Sequence, residues 1–131
     1  MTGTDIGVNY LWNSKLSSKF KASFLFARNT TANDWLILMP ADRLSLNTTY
    51  KKDINKKIKE TFVSVDGRYV FQQKRIPNNF DQIDFPRPPK DYFLLDASVG
   101  AKLMVKQQPI HLSLTVTNIF NQRYRDYLDA F

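Results

Sequence analysis

A chain of 131 residues with 19 Lys and Arg against 12 Asp and Glu, net charge +7, is long enough for one domain with its own core. It has no cysteine, which excludes a disulfide framework and a thiolate metal site, and its single histidine, His111, excludes a His-rich metal cluster. No stretch reaches the apolar length of a transmembrane helix, and the opening Met1-Thr2-Gly3-Thr4 lacks the basic-then-apolar layout of a signal peptide. That abrupt start of a strand pattern is the first hint of a chain cut from something larger.

Period-two alternation recurs six times along the chain, and helical spacing is hard to find. The first run sets Ile6, Val8, Tyr10 and Trp12 against Asp5, Gly7 and Asn9. The second sets Phe20, Ala22, Phe24 and Phe26 against Lys21, Ser23 and Ala27. The third, shorter, opposes Leu44, Leu46, Thr48 and Tyr50 to Ser45, Asn47 and Thr49. The fourth opposes Val63, Val65, Gly67, Tyr69 and Phe71 to Ser64, Asp66, Arg68 and Gln72. The fifth carries Phe93, Leu95, Ala97, Val99, Ala101, Leu103 and Val105 on one side, with Asp96, Ser98, Gly100 and Lys102 on the other. The last opposes Ile110, Leu112, Leu114 and Val116 to His111, Ser113, Thr115 and Thr117. Successive side chains of a strand point to opposite faces, so each run is a two-faced ribbon and the fold class is all-β.

The positive charge raises the question of nucleic acid. Lys51, Lys52, Lys56, Lys57 and Lys59 are expected in a single connection, without interleaved aromatics, which reads as a solvated turn. No nucleic-acid partner is expected.

Three features bear on whether the sheet is soluble or spans a membrane. The apolar faces carry no charge, as a lipid-facing surface requires, although a soluble core excludes charge as well. Large aromatics cluster at the ends of the apolar faces: Tyr10, Trp12, Phe20 and Tyr50 beside short connections, Phe26, Tyr69, Phe71 and Phe93 beside long ones. Two such girdles around an aliphatic band suit the two headgroup levels of a bilayer. Finally, the connections alternate: 13–18 short, 29–43 long, 51–59 intermediate, 74–91 long, 106–109 short. Short turns at one rim and long loops at the other are the habit of an outer-membrane barrel. Six strands with an apolar exterior cannot close, and an open edge in hydrocarbon leaves backbone groups unsatisfied, so further strands are expected from elsewhere.

The end of the chain is more specific. Leu112, Leu114, Val116, Asn118, Ile119, Phe120, Asn121 and Tyr124 read L-x-L-x-V-x-N-I-F-N-x-x-Y. This resembles the penultimate-strand signature of TonB-dependent outer-membrane receptors, usually N-L-F-[DN]-x-x-Y, with Ile119 replacing the leucine. The continuation Arg125-Asp126-Tyr127-Leu128, the segment Met39-Pro40-Ala41-Asp42-Arg43 and the run Pro88-Pro89 with Tyr92 and Asp96 are similar to that family too. The resemblance thus spans nearly all of residues 1–131. It implies a twenty-two-stranded barrel with an N-terminal plug in the outer membrane of a Gram-negative bacterium. Such receptors import scarce nutrients of the iron-siderophore, haem or cobalamin class, driven through TonB, which grips an N-terminal box. The six runs would be strands sixteen to twenty-one. The plug and the box have no counterpart here, TonB would be reached only through them, and the final strand is expected to be missing; Phe131 lacks the alternation to stand for it. Membrane lipid and the remainder of the barrel are the implied partners.

No catalytic group, cofactor or metal is expected. Asp66 and Asp96 alternate with Arg68 and Lys102 on the polar face, as lumen charges do, and His111 is expected at a rim or in the lumen. The N-x-T triplets at Asn29 and Asn47 carry no weight in a bacterial barrel. Ligand contact belongs to the long loops, since loops on a rigid scaffold usually carry recognition. The first offers Trp35, and Arg43 at its end; the second offers Lys74, Arg75, Phe80 and Phe85. Trp35, Arg43 and Arg75 are the candidates for an anionic, partly aromatic ligand. Two other readings stay open: a soluble lipocalin-like binding module with its apolar face lining a cavity, and a non-functional truncated product that associates with other chains.

Overall fold

The computed structural model describes residues 1–80, 87–106 and 108–129; Phe85 and Phe131 lie outside the described residues. It holds eight strands: β1 Thr2–Leu11, β2 Leu16–Phe26, β3 Arg28–Asn29, β4 Asp34–Trp35, β5 Arg43–Lys52, β6 Ile58–Val70, β7 Tyr92–Val105 and β8 Gln108–Val116. Six form one antiparallel sheet in the order β1-β2-β5-β6-β7-β8, and β3 pairs with β4 in a small separate hairpin. Each long strand pairs with its sequence neighbour, as an up-and-down ribbon does. The sheet is open, with β1 and β8 as its edges. Among the described residues no α-helix occurs, and no helix could cross a membrane, which says nothing about strands.

All six alternating runs become strands, and the register places their apolar sides on one face. One row crosses Tyr50, Val63, Val99 and Leu114; the next crosses Thr48, Val65, Ala97 and Val116. Another joins Val8, Phe20, Leu46, Gly67 and Leu95. This row puts Phe20 in mid-face, a correction to its expected place beside a short turn. Gly67 makes room there: a Cβ would meet the Phe93 ring at 3.3 Å.

The central connection is shorter than the sequence suggests. Lys51 and Lys52 end β5 and Lys59 belongs to β6, leaving 53–57 as the turn. The reason is a β-bulge. Lys59 pairs with Lys102 and Phe62 with Gly100, so Glu60 and Thr61 together face Ala101 alone. Glu60 takes the left-handed conformation, φ 50° to within a few degrees at 48, which such an extra residue often needs. The insertion reverses the alternation and turns Ile58 back to the apolar face opposite Leu103. It also hid this part of the strand from a strict period-two reading.

The lysines consequently do not all gather in one connection. The polar face carries Lys21 and Arg68 in one row with Ser45, and Lys19, Asn47, Asp66 and Asp96 in the next. Lys51 stands opposite Phe62, and Lys59, Lys102 and His111 share a further row. Basic residues therefore do share a face, with hydroxyl, amide and carboxylate neighbours.

What core exists is small and lies at the long-loop end on the polar-face register. Ala41, Val70, Tyr92 and Leu94 form its buried cluster. No large side chain is fully buried among the described residues. On the apolar face, by contrast, even central-strand residues stay half exposed: Leu46 51%, Val63 49%, Val99 44%.

Candidate functional site

The antiparallel order sends the connections alternately to two rims. Turns 12–15, 53–57 and 106–107 fall on one; loops 27–42 and 71–91, with the segment after β8, fall on the other. The long-loop rim holds all three predicted contact residues, and its side chains form two clusters.

The first cluster clasps the two long loops together. The Gln73 side-chain amide donates to the carbonyls of Met39, 3.1 Å, and Pro40, 3.0 Å. The Arg75 guanidinium pairs with the Asp42 carboxylate and lies 4.5 Å over the Phe26 ring. Asp34 accepts the Asn78 backbone N–H at 3.0 Å. In the β3–β4 hairpin Arg28 stacks 5.1 Å over Trp35. Desolvated, charge-assisted contacts of this kind are stronger than exposed ones, and the Arg75 and Asp42 side chains are only 21% and 18% exposed.

These contacts change the meaning of the predicted residues. Arg75 is committed to Asp42, and Trp35 to Arg28, so both hold the loops in place before any ligand arrives. Arg43 opens β5 between Ser23 and Val70 and is exposed. Arg43 and Arg75 border different hollows, of about 350 and 380 Å³, and Trp35 borders neither. The three are therefore neighbours on one rim rather than a single pocket. Asp34, Asp42 and Gln73 were not foreseen: their partners lie 33 or more residues away, and nothing local announces such pairs.

Breaking the clasp has a readable outcome. Asp42→Ala leaves Arg75 largely buried without its carboxylate, costing about 1–3 kcal/mol of local stability. Limited proteolysis is expected to cut loop 71–80 several times faster while the strands stay intact; an unchanged rate would mean the pair holds nothing.

The second cluster unites the family-like segments. The Asn118 backbone N–H donates to Asp96 at 2.7 Å, and Ile119 N–H reaches the Leu95 carbonyl at 2.8 Å, extending the contact with β7 beyond β8. Asn118 and Asn121 both have left-handed φ, 50° and 49°, which asparagine tolerates better than most residues. The Asn118 side chain closes the turn, accepting from Gln122 N–H at 2.9 Å and donating to the Gln122 carbonyl at 3.0 Å. Tyr124 packs on Tyr92 at 4.9 Å and Phe120 near Phe93 at 6.2 Å. Asn118, Phe120 and Tyr124 thus anchor the chain's end to the start of β7. This is a structural role, and the same contacts account for Asp96.

On the polar face Asp66 stands opposite Asp96, with Arg68 3.8 Å from Asp66. Near the short turns a hollow of about 720 Å³ is bordered by Lys51, Phe62, Lys102, His111 and Ser113, among others. Lys102 is paired there with Glu60 at 2.8 Å. Among the described residues no group of three or more His, Cys, Asp or Glu could hold a metal.

Comparison with protein-family models, with curated proteins and with solved structures finds no match to this chain. What it does must be argued from its own surfaces.

Proposed function

We propose that this chain is a stretch of wall from a transmembrane β-barrel in the outer membrane of a Gram-negative bacterium. The observation that carries the reading is the uncovered apolar face, continuous over six strands and charge-free along its rows. Soluble monomers rarely expose contiguous apolar patches beyond a few hundred Å². Nothing in the chain packs on this face: the long loops and the segment after β8 fold over the opposite side. A lipid contact removes the difficulty.

Other observations agree. The six strands run 9 to 14 residues, enough to cross a hydrocarbon layer at a tilt, for which about 9–11 are needed. Turns are short on one rim and long on the other. The N-x-F-N-x-x-Y segment folds against the Tyr92–Asp96 segment, so two stretches that separately resemble TonB-dependent receptors form one unit. On this reading the parent protein is such a receptor, importing a scarce nutrient, and its remaining strands satisfy the edges β1 and β8. These six strands supply wall and loops and transport nothing alone.

Size-exclusion chromatography without detergent tests the reading. The expected result is aggregate in buffer and a dispersed, strand-rich species on addition of detergent or lipid. A monodisperse monomer in plain buffer would overturn it and favour the lipocalin-like module.

A further inference from the structure

The two rims differ in how their charges are used. At the long-loop rim Arg75 is answered by Asp42, Arg28 by the Trp35 ring, and the Arg125 guanidinium by the Arg87 carbonyl. At the short-turn rim the turn residues include Lys15, Lys56, Lys57 and Lys106, all exposed, and only one acid, Asp53. Asp53 spends its carboxylate on the Glu60 backbone N–H at 2.7 Å, and Glu60 itself is taken by Lys102. None of the four turn lysines makes an ion pair among the described residues.

Beside these lysines the apolar face ends in rings. Tyr10 and Trp12 pack edge-to-face at 4.7 Å, and with Tyr50 they remain 55%, 61% and 43% exposed. The Trp12 indole N–H donates to Ser18 at 3.0 Å, which holds the ring beside the turn. The lysine backbones are fixed as well: Asn13 Oδ1 accepts from Lys15 N–H at 2.8 Å, and Asn55 Oδ1 from Lys57 N–H at 2.8 Å. Rings at the level where hydrocarbon ends, with unanswered ammonium groups just beyond, match the chemistry of a phosphate-bearing headgroup layer.

We infer that the short-turn rim is a docking surface for anionic phospholipid headgroups, with Lys15, Lys56, Lys57 and Lys106 as its charged contacts. The inference rests on the membrane reading above and adds to it a leaflet preference: the short-turn rim sits in the leaflet that carries anionic phospholipid. Each lysine near an anionic surface contributes about a fivefold gain in affinity at moderate salt. The effect is screened as salt rises, because the groups are exposed.

The test is co-sedimentation of the 131-residue chain, diluted from denaturant, with two kinds of vesicle: neutral phosphatidylcholine, and the same with roughly one-third phosphatidylglycerol. The inference expects at least about tenfold tighter association with the anionic vesicles, lost at high salt. A variant with all four turn lysines changed to Gln is expected to lose that preference while still binding neutral vesicles. The same four changed to Arg should keep it, as should K74Q/K90Q at the opposite rim. Neutral-vesicle binding and strand content by circular dichroism report whether each variant still folds. Equal binding to both vesicles, a preference surviving the four Gln changes, or its loss in K74Q/K90Q would each overturn the inference while leaving the membrane reading standing. Failure to bind either vesicle would overturn both.

Discussion

Val99→Arg is expected to destabilise the sheet in a bilayer by about 2–4 kcal/mol, the cost of an arginine at mid-membrane on a lipid-facing strand. Val99 lies near the middle of β7, paired to Val63 on one side and Leu114 on the other, all on the apolar face. Thr115→Arg, one strand away on the polar face, is expected to change stability by no more than about 0.5 kcal/mol, as ordinary exposed substitutions do. The comparison is made by urea titration of both variants after insertion into vesicles. Its strength is that the three readings of the face diverge. If the face met water, Val99 is 44% exposed and an arginine there would be near-neutral in either medium. If the face lined a soluble cavity, Val99→Arg would be ruinous in plain buffer. Only a lipid-facing residue is costly in the bilayer and beneficial to dispersal in water. Equal effects of Val99→Arg and Thr115→Arg would sink the membrane reading.

The second large effect is expected at Gly100, on the polar side of the same strand. The Phe62 ring lies across this glycine, and Gly100 is its direct cross-strand partner. A Cβ there would stand 2.5 Å from Phe62 Cε1 and 2.9 Å from the Leu112 backbone oxygen. The ring can swing away, since it is the far end of a side chain. The carbonyl cannot, because it belongs to the neighbouring strand of the ladder. Gly100→Val is therefore expected to cost about 1–3 kcal/mol, the range of an overpacked interior, and to loosen β7 from β8. Phe62→Ala in the same chain should recover only the part due to the ring. Gly7→Ala is the matched control, because nothing lies within 4 Å of its added Cβ. Unfolding midpoints in one detergent decide it. A Gly100→Val midpoint equal to that of Gly7→Ala would show that Phe62 does not pack as described.

Both effects trace to one arrangement. A flat row of small and large residues on each face sets which side chains meet lipid and which fold over glycine. The bulge at Glu60 and Thr61 keeps this arrangement intact to the end of β6 by restoring Ile58 to the apolar side. The clasp of Asp42 with Arg75 and of Gln73 with two carbonyls then gives the long loops a fixed form. A ligand for such a rim meets loops already in place, which lowers the ordering cost of binding. Arg43, exposed and outside the clasp, is the predicted contact residue that keeps its side chain available.

Much of this was decided by the order of residues alone. Alternation identifies the six long strands, because on a pleated backbone a period of two is the only way to sort apolar from polar side chains. Up-and-down order follows from short connections, and the continuous apolar face follows from matching runs. Pairings between distant residues could not be read this way, since nothing near Asp42 specifies Arg75 and nothing near Asp96 specifies the Asn118 amide. The ends of β5 and β6 were misjudged for a different reason: one inserted residue reverses the alternation, and only the ladder reveals where. The same holds for the lysines. Their number is written in the sequence, but tertiary structure decided which of them face the polar side of the sheet and which stand unanswered in the turns, because strand register, not proximity along the chain, determines each charge's neighbours.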